Sequence, residues 1–183
     1  GLLDRGTPLR CNAVSGYSGG GRQMIEQFQA MDAATANALA VQSYGLNQDH
    51  KHLPEMAEFS GTFVAPIFVP TVANYDQGML TQIPLFVSEL GGASPARVHA
   101  ILAERYADEA FIHVADLGDH SMLQGNYLNP TERNNSNEMD LFVFGDDERL
   151  LLCARYDNLG KGAAGAAVQN LNLMLGLEET TGL

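Results

Sequence analysis

Residues 9–22 read Leu9-Arg10-Cys11-Asn12-Ala13-Val14-Ser15-Gly16-Tyr17-Ser18-Gly19-Gly20-Gly21-Arg22. In the first half, the apolar residues Leu9, Cys11 and Ala13 alternate along the chain, which predicts a strand with a buried face. Four of the next seven residues are glycine, and such a composition favours tight turns in which the backbone approaches another group closely. We therefore expect a strand that leads into a shaped loop.

The rest of the chain predicts an α+β fold. Apolar residues at helical spacing indicate a helix within residues 23–40, and Ser94-Pro95 is a typical helix start. A further helix over 161–175 should end at Gly176, and 118–137 is polar enough to be a long loop. Apolar runs predict strands at 62–70, 81–88, 110–115, 139–144 and 150–156, with Pro84 at an edge or bulge and a hairpin turn at Asp146-Asp147. This order predicts a mixed β-sheet with helices mainly on one face.

Length and charge limit the classes of protein. With 183 residues, 45% of them hydrophobic, the chain is long enough for one domain with a substantial core. The formal net charge of -12 repels nucleic acid and anionic membrane surfaces, so we expect neither as a partner. A bound anion must therefore rely on local donors.

The two cysteines, Cys11 and Cys153, lie far apart in apolar contexts. Their spacing favours neither a disulfide framework nor a zinc ribbon, so we expect buried thiols in a reducing cytoplasm. No apolar run approaches the roughly 20 residues that a membrane span needs.

The glycine-rich loop is a candidate anion site. A loop between a strand and a helix presents backbone N–H groups, and Ser15, Ser18 and Arg22 add side-chain donors. The pattern is neither G-x-G-x-x-G nor a Walker A motif, so an ordinary flexible turn is an equal alternative.

His50 and His52 are candidate general acids or bases, because imidazole exchanges protons near neutral pH. On an extended segment before a helix at Pro54 they would point to opposite sides, with one acting and the other bracing. A metal site that adds Glu55 lacks a recognised spacing, so we predict no metal, and a structural role for both rings is the alternative.

Asn158 and Lys161 lie where a strand joins the last predicted helix. Asn158 is a candidate helix cap or a ligand-facing amide. Lys161 in a first helical turn opposes the helix dipole, so we expect an anion or carboxylate near it.

Three of these segments together resemble the short form of N-acetyl-gamma-glutamyl-phosphate reductase. They are Ser15-Gly16-Tyr17-Ser18-Gly19, His50-Lys51-His52-Leu53-Pro54-Glu55 and Asp157-Asn158-Leu159-Gly160-Lys161-Gly162. The resemblance covers nearly the whole chain except 118–137. It implies the C-terminal, glyceraldehyde-3-phosphate-dehydrogenase-like domain of that enzyme, with residues 1–183 as a substrate-binding and oligomerisation domain.

That family reduces N-acetyl-glutamyl phosphate to its semialdehyde with NADPH, through a thioester on a cysteine, in arginine biosynthesis. The resemblance implies that His50, or else His52, acts on the thiol. It implies an acyl-phosphate site along the glycine-rich loop and the histidine segment, formed by Ser15, Gly16, Ser18, Gly19, Arg22 and Glu55. Asn158 and Lys161 are implied to reach toward NADP.

The resemblance also implies what this chain lacks and what it pairs with. The dinucleotide fold and the Asn-Pro-Gly-Cys motif are absent from it, so we expect the chain alone to be inactive. It implies a homo-oligomer, dimer or tetramer, paired through the sheet, and a helix at 161–176 that packs toward the NADP-binding domain. An aspartate-semialdehyde-dehydrogenase-like domain, a non-catalytic anion-binding module and a purely structural oligomerisation domain are the alternatives.

Overall fold

A computed structural model describes residues 2–183. These residues form seven strands and five α-helices. The strands are β1 Arg10–Gly16, β2 Val41–Ser43, β3 Ile67–Ala73, β4 Met79–Phe86, β5 Ile112–Val114, β6 Met139–Gly145 and β7 Arg149–Tyr156. The helices are α1 Gly21–Gln29, α2 Ala33–Ala38, α3 Leu53–Ser60, α4 Pro95–Arg105 and α5 Gly165–Leu175.

The strands form one mixed sheet in the order β2-β3-β1-β4-β7-β6-β5. The pairs β1 with β3 and β5 with β6 are parallel, and the other neighbours are antiparallel. The prediction of a mixed α+β sheet is confirmed.

Helices α3 and α4 cover the same face of the sheet, which we call the helical face. Leu53 of α3 packs with Cys11, Ala13 and Phe68. Val98 of α4 packs in a second cluster, whose other buried members are Leu85, Leu90, Val143 and Leu150. Because side chains alternate along each strand, these contacts place both helices on one side of the sheet.

The opposite face, which we call the loop face, is covered over β6 and β7 by residues 115–138. Met122 and Leu128 of this segment pack on Phe142 and Cys153. The prediction of a long irregular loop here is confirmed, and the structure adds that the loop covers a hydrophobic cluster of its own on this face.

A buried ion cluster holds the loop in place. Asp140 is fully buried, and Arg155 is 2% exposed. Nη2 and Nε of Arg155 donate to the Asp140 carboxylate at 2.8 and 2.9 Å. Arg133 of the loop donates to the same carboxylate. Arg155 also donates to the carbonyls of Met122 and Asn129.

Several predicted element boundaries were wrong. The helix predicted within 23–40 is two helices: α1 ends at Gln29, and Asp32 caps α2 by accepting the N–H of Thr35. The strand predicted at 62–70 begins at Ile67, directly after Pro66, and passes through Pro70 to Ala73. Pro70 ends the β2–β3 ladder: Tyr44 N–H still donates to the carbonyl of Pro70, and the reciprocal bond is missing because proline has no N–H.

Two further boundaries differ at the central strand and the last helix. Pro84 lies in a central strand, at a point beyond the β1 pairing, which ends at Gln82. The helix predicted from residue 161 begins at Gly165, after a wider π-helical turn over Gly160–Ala164. The hairpin at residues 146–148 is confirmed, and Asp146 accepts the N–H groups of Glu148 and Arg149.

The buried ion cluster predicts a large asymmetry between two arginines of β7. Arg155→Met should lower the free energy of unfolding by about 3–5 kcal/mol, because it leaves a buried carboxylate partly uncompensated. Arg149→Met on the same strand should leave it nearly unchanged, because the Arg149–Asp146 pair is exposed. Urea unfolding of the two variants measures the difference. Equal effects would contradict the importance of the cluster.

Candidate functional site

The glycine-rich segment folds as a short 3-10 turn, Tyr17–Gly20, followed by α1. A β-carbon on Gly16 would lie 2.2 Å from the carbonyl oxygen of Asp76, so only glycine fits there. The N–H groups of Gly16, Tyr17 and Ser18 donate to carbonyls of residues 75–78. The turn is therefore rigid, and its first three N–H groups are already bonded within the fold.

Ser18 and Asn158, which are 140 residues apart in sequence, form a buried hydrogen-bonded pair that we call the clamp. Ser18 is 3% exposed and Asn158 is 9% exposed. The Asn158 amide donates to Ser18 Oγ at 3.0 Å and accepts the N–H of Gly78 at 2.8 Å, while Ser18 Oγ donates to the carbonyl of Asp76 at 2.6 Å. The expectation that Asn158 caps the following helix is wrong, because its side chain is used in this clamp.

Asp157, the residue before Asn158, holds the loops around the clamp together. Its carboxylate, 1% exposed, accepts from Gln77 Nε2 at 2.8 Å, from the N–H of Asn135 at 2.7 Å and from the N–H of Leu159 at 2.8 Å. No cationic side chain within residues 2–183 pairs with it. Neutral donors therefore stabilise a buried carboxylate at the junction of three loops. The sequence showed polar residues in these loops. It did not show that Gln77 and Asp157, 80 positions apart, would pair.

Other predicted residues of the glycine-rich segment lie around the clamp. A β-carbon on Gly19 would lie 3.2 Å from Ser15 Oγ and 3.4 Å from Asn158 Nδ2, so these three residues share one small space. Arg22 lies apart, with a side chain that is 92% exposed and donates to Glu26 one turn along α1.

The two histidines lie together at the start of α3, and the expectation that they point to opposite sides was wrong. Their ring centroids are 4.8 Å apart. The segment is a turn rather than an extended strand, because the carbonyl of His50 accepts the N–H of Leu53 and that of His52 accepts the N–H of Met56.

The two rings have different environments. His50 packs between Tyr44 and Phe68, and its Nδ1 accepts the N–H of His52 at 3.2 Å. Burial, followed by repulsion from His52 and Lys51, lowers the pKa of His50 below its usual value, and Asp49 partly offsets this. With Nδ1 acting as an acceptor, the neutral ring carries its proton on Nε2. His52 is exposed.

His52 lines a cavity of about 340 Å³ between α3 and the sheet. Glu55 of α3 lines the same cavity, and Thr81 and Tyr156 add polar groups from the sheet. The remaining lining residues are Cys11, Ala13, Met56, Phe59, Phe68 and Met79. Tyr156 and Thr81 were missed by sequence reasoning, because their role depends on the pairing of β4 with β7.

Lys161 does not face this cavity. Its ammonium donates to Gln169 Oε1 at 2.6 Å and lies over the ring of Phe111. Burial lowers its pKa, and the carboxylates of Glu179 and Glu109 oppose that shift. The expectation of a nearby carboxylate is thus met by residues of this chain.

Residues 2–183 contain no helix long and apolar enough to cross a bilayer. The same residues include no group of three or more histidine, cysteine or acidic side chains arranged to hold a metal ion.

Residues 1–158 match the family described as semialdehyde dehydrogenase, dimerisation domain. The chain is 45% identical over 190 aligned residues to N-acetyl-gamma-glutamyl-phosphate reductase 2 of Nostoc sp., covering 100% of this chain and 59% of that protein. It is 46% identical over 179 residues to the reductase of Burkholderia cenocepacia, covering 96% and 56%. The chain therefore spans little more than half the length of these curated relatives.

Solved structures share the fold at low sequence identity. Aspartate semialdehyde dehydrogenase II from Vibrio cholerae superimposes with a TM-score of 0.60 at 16% identity, covering 91% of this chain and 54% of that one. A probable aspartate-semialdehyde dehydrogenase from Pseudomonas aeruginosa gives a TM-score of 0.62 at 18% identity, covering 92% and 55%. The expected α+β fold, that of a glyceraldehyde-3-phosphate-dehydrogenase-like C-terminal domain, is confirmed by these likenesses.

The cysteines should be unreactive in the folded chain. Burial raises the pKa of Cys11 to about 11 and that of Cys153 to about 12. Because only the thiolate is alkylated, iodoacetamide at pH 8 should modify Cys11 on the order of a hundredfold more slowly than an ordinary exposed thiol. Mass spectrometry follows the reaction, with the chain in urea as the control in which both thiols react. Rapid modification of the folded chain would contradict the burial of the thiols.

Proposed function

Since the chain belongs to the semialdehyde dehydrogenase dimerisation-domain family, we propose that it is the substrate-binding and oligomerisation domain of an N-acetyl-gamma-glutamyl-phosphate reductase. The complete enzyme would reduce N-acetyl-L-glutamyl 5-phosphate to the 5-semialdehyde and release phosphate. The observation that carries the proposal is the cavity in which His52, just before α3, and Glu55 of α3 face Thr81 and Tyr156 of the sheet. This cavity is a concave, largely apolar site with a few convergent polar groups.

The two histidines would have different roles. His52 is exposed and borders the cavity, so its imidazole is free to accept a proton from a thiol and return it to the product. His50 does not line the cavity, so it would act through its neighbour: its Nδ1 accepts the N–H of His52 and helps to hold that residue beside the cavity. Its lowered pKa keeps it neutral near pH 7, which limits repulsion between the two rings.

Phosphate release would occur near the glycine-rich turn. Ser15 Oγ lies beside the buried clamp of Ser18 and Asn158; it donates to the carbonyl of Gly16 and would exchange that bond for one to the anion. Gly16 and Ser18 would contribute by shaping the turn, because their N–H groups are already bonded. Arg22 supplies the positive charge, since its exposed pair with Glu26 costs little to break when an anion binds.

The residues of this chain fit NADP only in part. Asn158 Nδ2 has a second hydrogen beside the bare Cα of Gly19, so a polar group of the cofactor can meet it there. Lys161 does not fit, because Gln169 engages its ammonium. When bound, NADPH supplies the reducing equivalents. We propose that Asn158 positions it and that Lys161 stabilises the C-terminal segment.

The nucleophilic cysteine would come from outside this chain. Both thiols present here are buried, and their raised pKa values keep them protonated at neutral pH. We therefore expect no turnover by residues 1–183 alone. The dinucleotide-binding domain would contact α5, where Val168, Leu171 and Leu175 are apolar and exposed.

A second copy of the chain would pack on the loop face. Part of this face is left uncovered beside the 115–138 segment. It has an apolar cavity of about 370 Å³ lined in part by Pro84, Phe86 and Leu151. Ile67 and Phe86 are more than half exposed there. An uncovered apolar sheet face of this kind favours pairing of identical subunits.

The proposed enzyme can be tested in a full-length reductase that carries this domain. Phosphate-dependent reduction of NADP with N-acetyl-glutamate 5-semialdehyde should be observed, and aspartate semialdehyde should be a poor substrate. His52→Asn should lower kcat on the order of a hundredfold or more, because a general base is removed. His113→Asn is the matched control, because His113 lies on β5 at the opposite edge of the sheet.

The outcomes separate the assignments. Normal activity of His52→Asn together with a collapse in His50→Asn would reverse the two histidine roles. Absence of activity with the N-acetylated substrate, together with activity on aspartate semialdehyde, would overturn the substrate assignment.

The proposed pairing predicts that Phe86→Glu shifts this chain from dimer to monomer in size-exclusion chromatography with light scattering. The reason is that a carboxylate would be desolvated in an apolar interface. Phe59→Glu is the matched control, because Phe59 is exposed on the helical face and should leave the mass unchanged. A monomeric wild type, or dissociation by the control variant only, would refute the interface.

A further inference from the structure

We propose that Gln48 is a positioning residue that fixes the His50–His52 turn to the edge of the sheet. Its catalytic consequence rests on the proposed reductase function. Its structural effect on the two histidines does not.

The side chain of Gln48 makes the hydrogen bonds that a further residue of β2 would make to β3. The ladder between β2 and β3 ends at the pair Ser43 and Thr71, followed by the bond from Tyr44 N–H to the carbonyl of Pro70. The backbone then turns away. Gln48 Nε2 donates to the carbonyl of Phe68 at 2.9 Å, and Gln48 Oε1 accepts the N–H of Phe68 at 2.9 Å. One amide therefore satisfies both backbone groups of Phe68 at the next free position of the β3 edge.

The backbone of Gln48 adopts a conformation that its own side chain disfavours. Its φ is +57°, in the left-handed region, and its N–H donates to the carbonyl of Gly45. A residue with a β-carbon is strained there, whereas glycine is not. Such strain persists only when the surrounding structure holds it, and here the two bonds to Phe68 do so.

Phe68, whose backbone groups Gln48 binds, is also the residue against which His50 packs. His50 follows Gln48 by two residues. Its ring meets the ring of Phe68 edge to face, with the centroids 5.1 Å apart. His50 Nδ1 in turn accepts the N–H of His52, the residue that precedes α3 and lines the cavity. A chain of contacts therefore runs from Gln48 to Phe68, from Phe68 to His50, and from His50 to His52. Gln48 itself does not line the cavity.

The first test uses this chain and needs no activity. Gln48→Met keeps the length of the side chain but loses both hydrogen bonds, and Gln48→Gly also relieves the backbone strain. In both variants we expect loss of the nuclear Overhauser contacts between the His50 and Phe68 rings. We also expect the pKa of His50 to rise toward its ordinary value, because burial against Phe68 and Tyr44 is its main cause of lowering, while Asp49, Lys51 and His52 remain beside it.

The control separates positioning from loss of stability. Ser94→Ala removes the N-cap of α4, far from the histidines, and lowers the melting temperature without touching this turn. It should leave the His50 contacts and titration unchanged. If Gln48→Met also leaves them unchanged, the positioning role is overturned, whatever the activity of the enzyme.

The second test uses the full-length reductase. Gln48→Met should lower kcat on the order of tenfold or more with KM nearly unchanged, because displaced catalytic groups slow the reaction whereas the cavity walls remain. If the histidines move but kcat does not fall, the catalytic consequence is refuted. If wild type does not act on the acyl phosphate, the proposed function fails, and the histidine measurements alone decide the positioning role.

Discussion

The site depends on a buried carboxylate, that of Asp157, which is stabilised by neutral donors. It accepts hydrogen bonds from Gln77, Asn135 and Leu159, which belong to three separate loops. The neighbouring Asn158 extends the same junction to Ser18 and Gly78. Because an unsatisfied buried polar group is costly, these loops must assemble together or not at all. The glycine-rich turn therefore has its shape before any ligand arrives.

A second junction, between α3 and β3, determines where the histidines lie. Gln48 completes the edge of β3, and His50 packs on the ring of Phe68. The two junctions lie on either side of β1. The parallel pairing of β1 with β3 fixes their relative position along the strands. One rigid sheet thus carries both loop systems, a common way to combine precise geometry with variable chemistry.

Residues 115–138 show how far tertiary contacts can order an irregular segment. Its sequence is polar and rich in turn residues, yet the buried cluster of Asp140 with Arg133 and Arg155 holds it on the sheet. Neither the partner of Asp140 nor the coverage of β6 and β7 follows from local patterns. The apolar surface left beside the loop is the part of the sheet that we propose for subunit pairing.

Local patterns in the sequence determined the α+β class, most strands, the helix that begins after Ser94 and the glycine-rich and histidine segments, because periodicity and turn chemistry are local properties. Their order along the chain also carried the family resemblance. Only the tertiary structure decided that His50 and His52 face each other, that Asn158 clamps Ser18 instead of capping a helix, and that Thr81 and Tyr156 border the cavity. These facts depend on strand register and on hydrogen bonds between residues far apart in sequence, which no local pattern encodes.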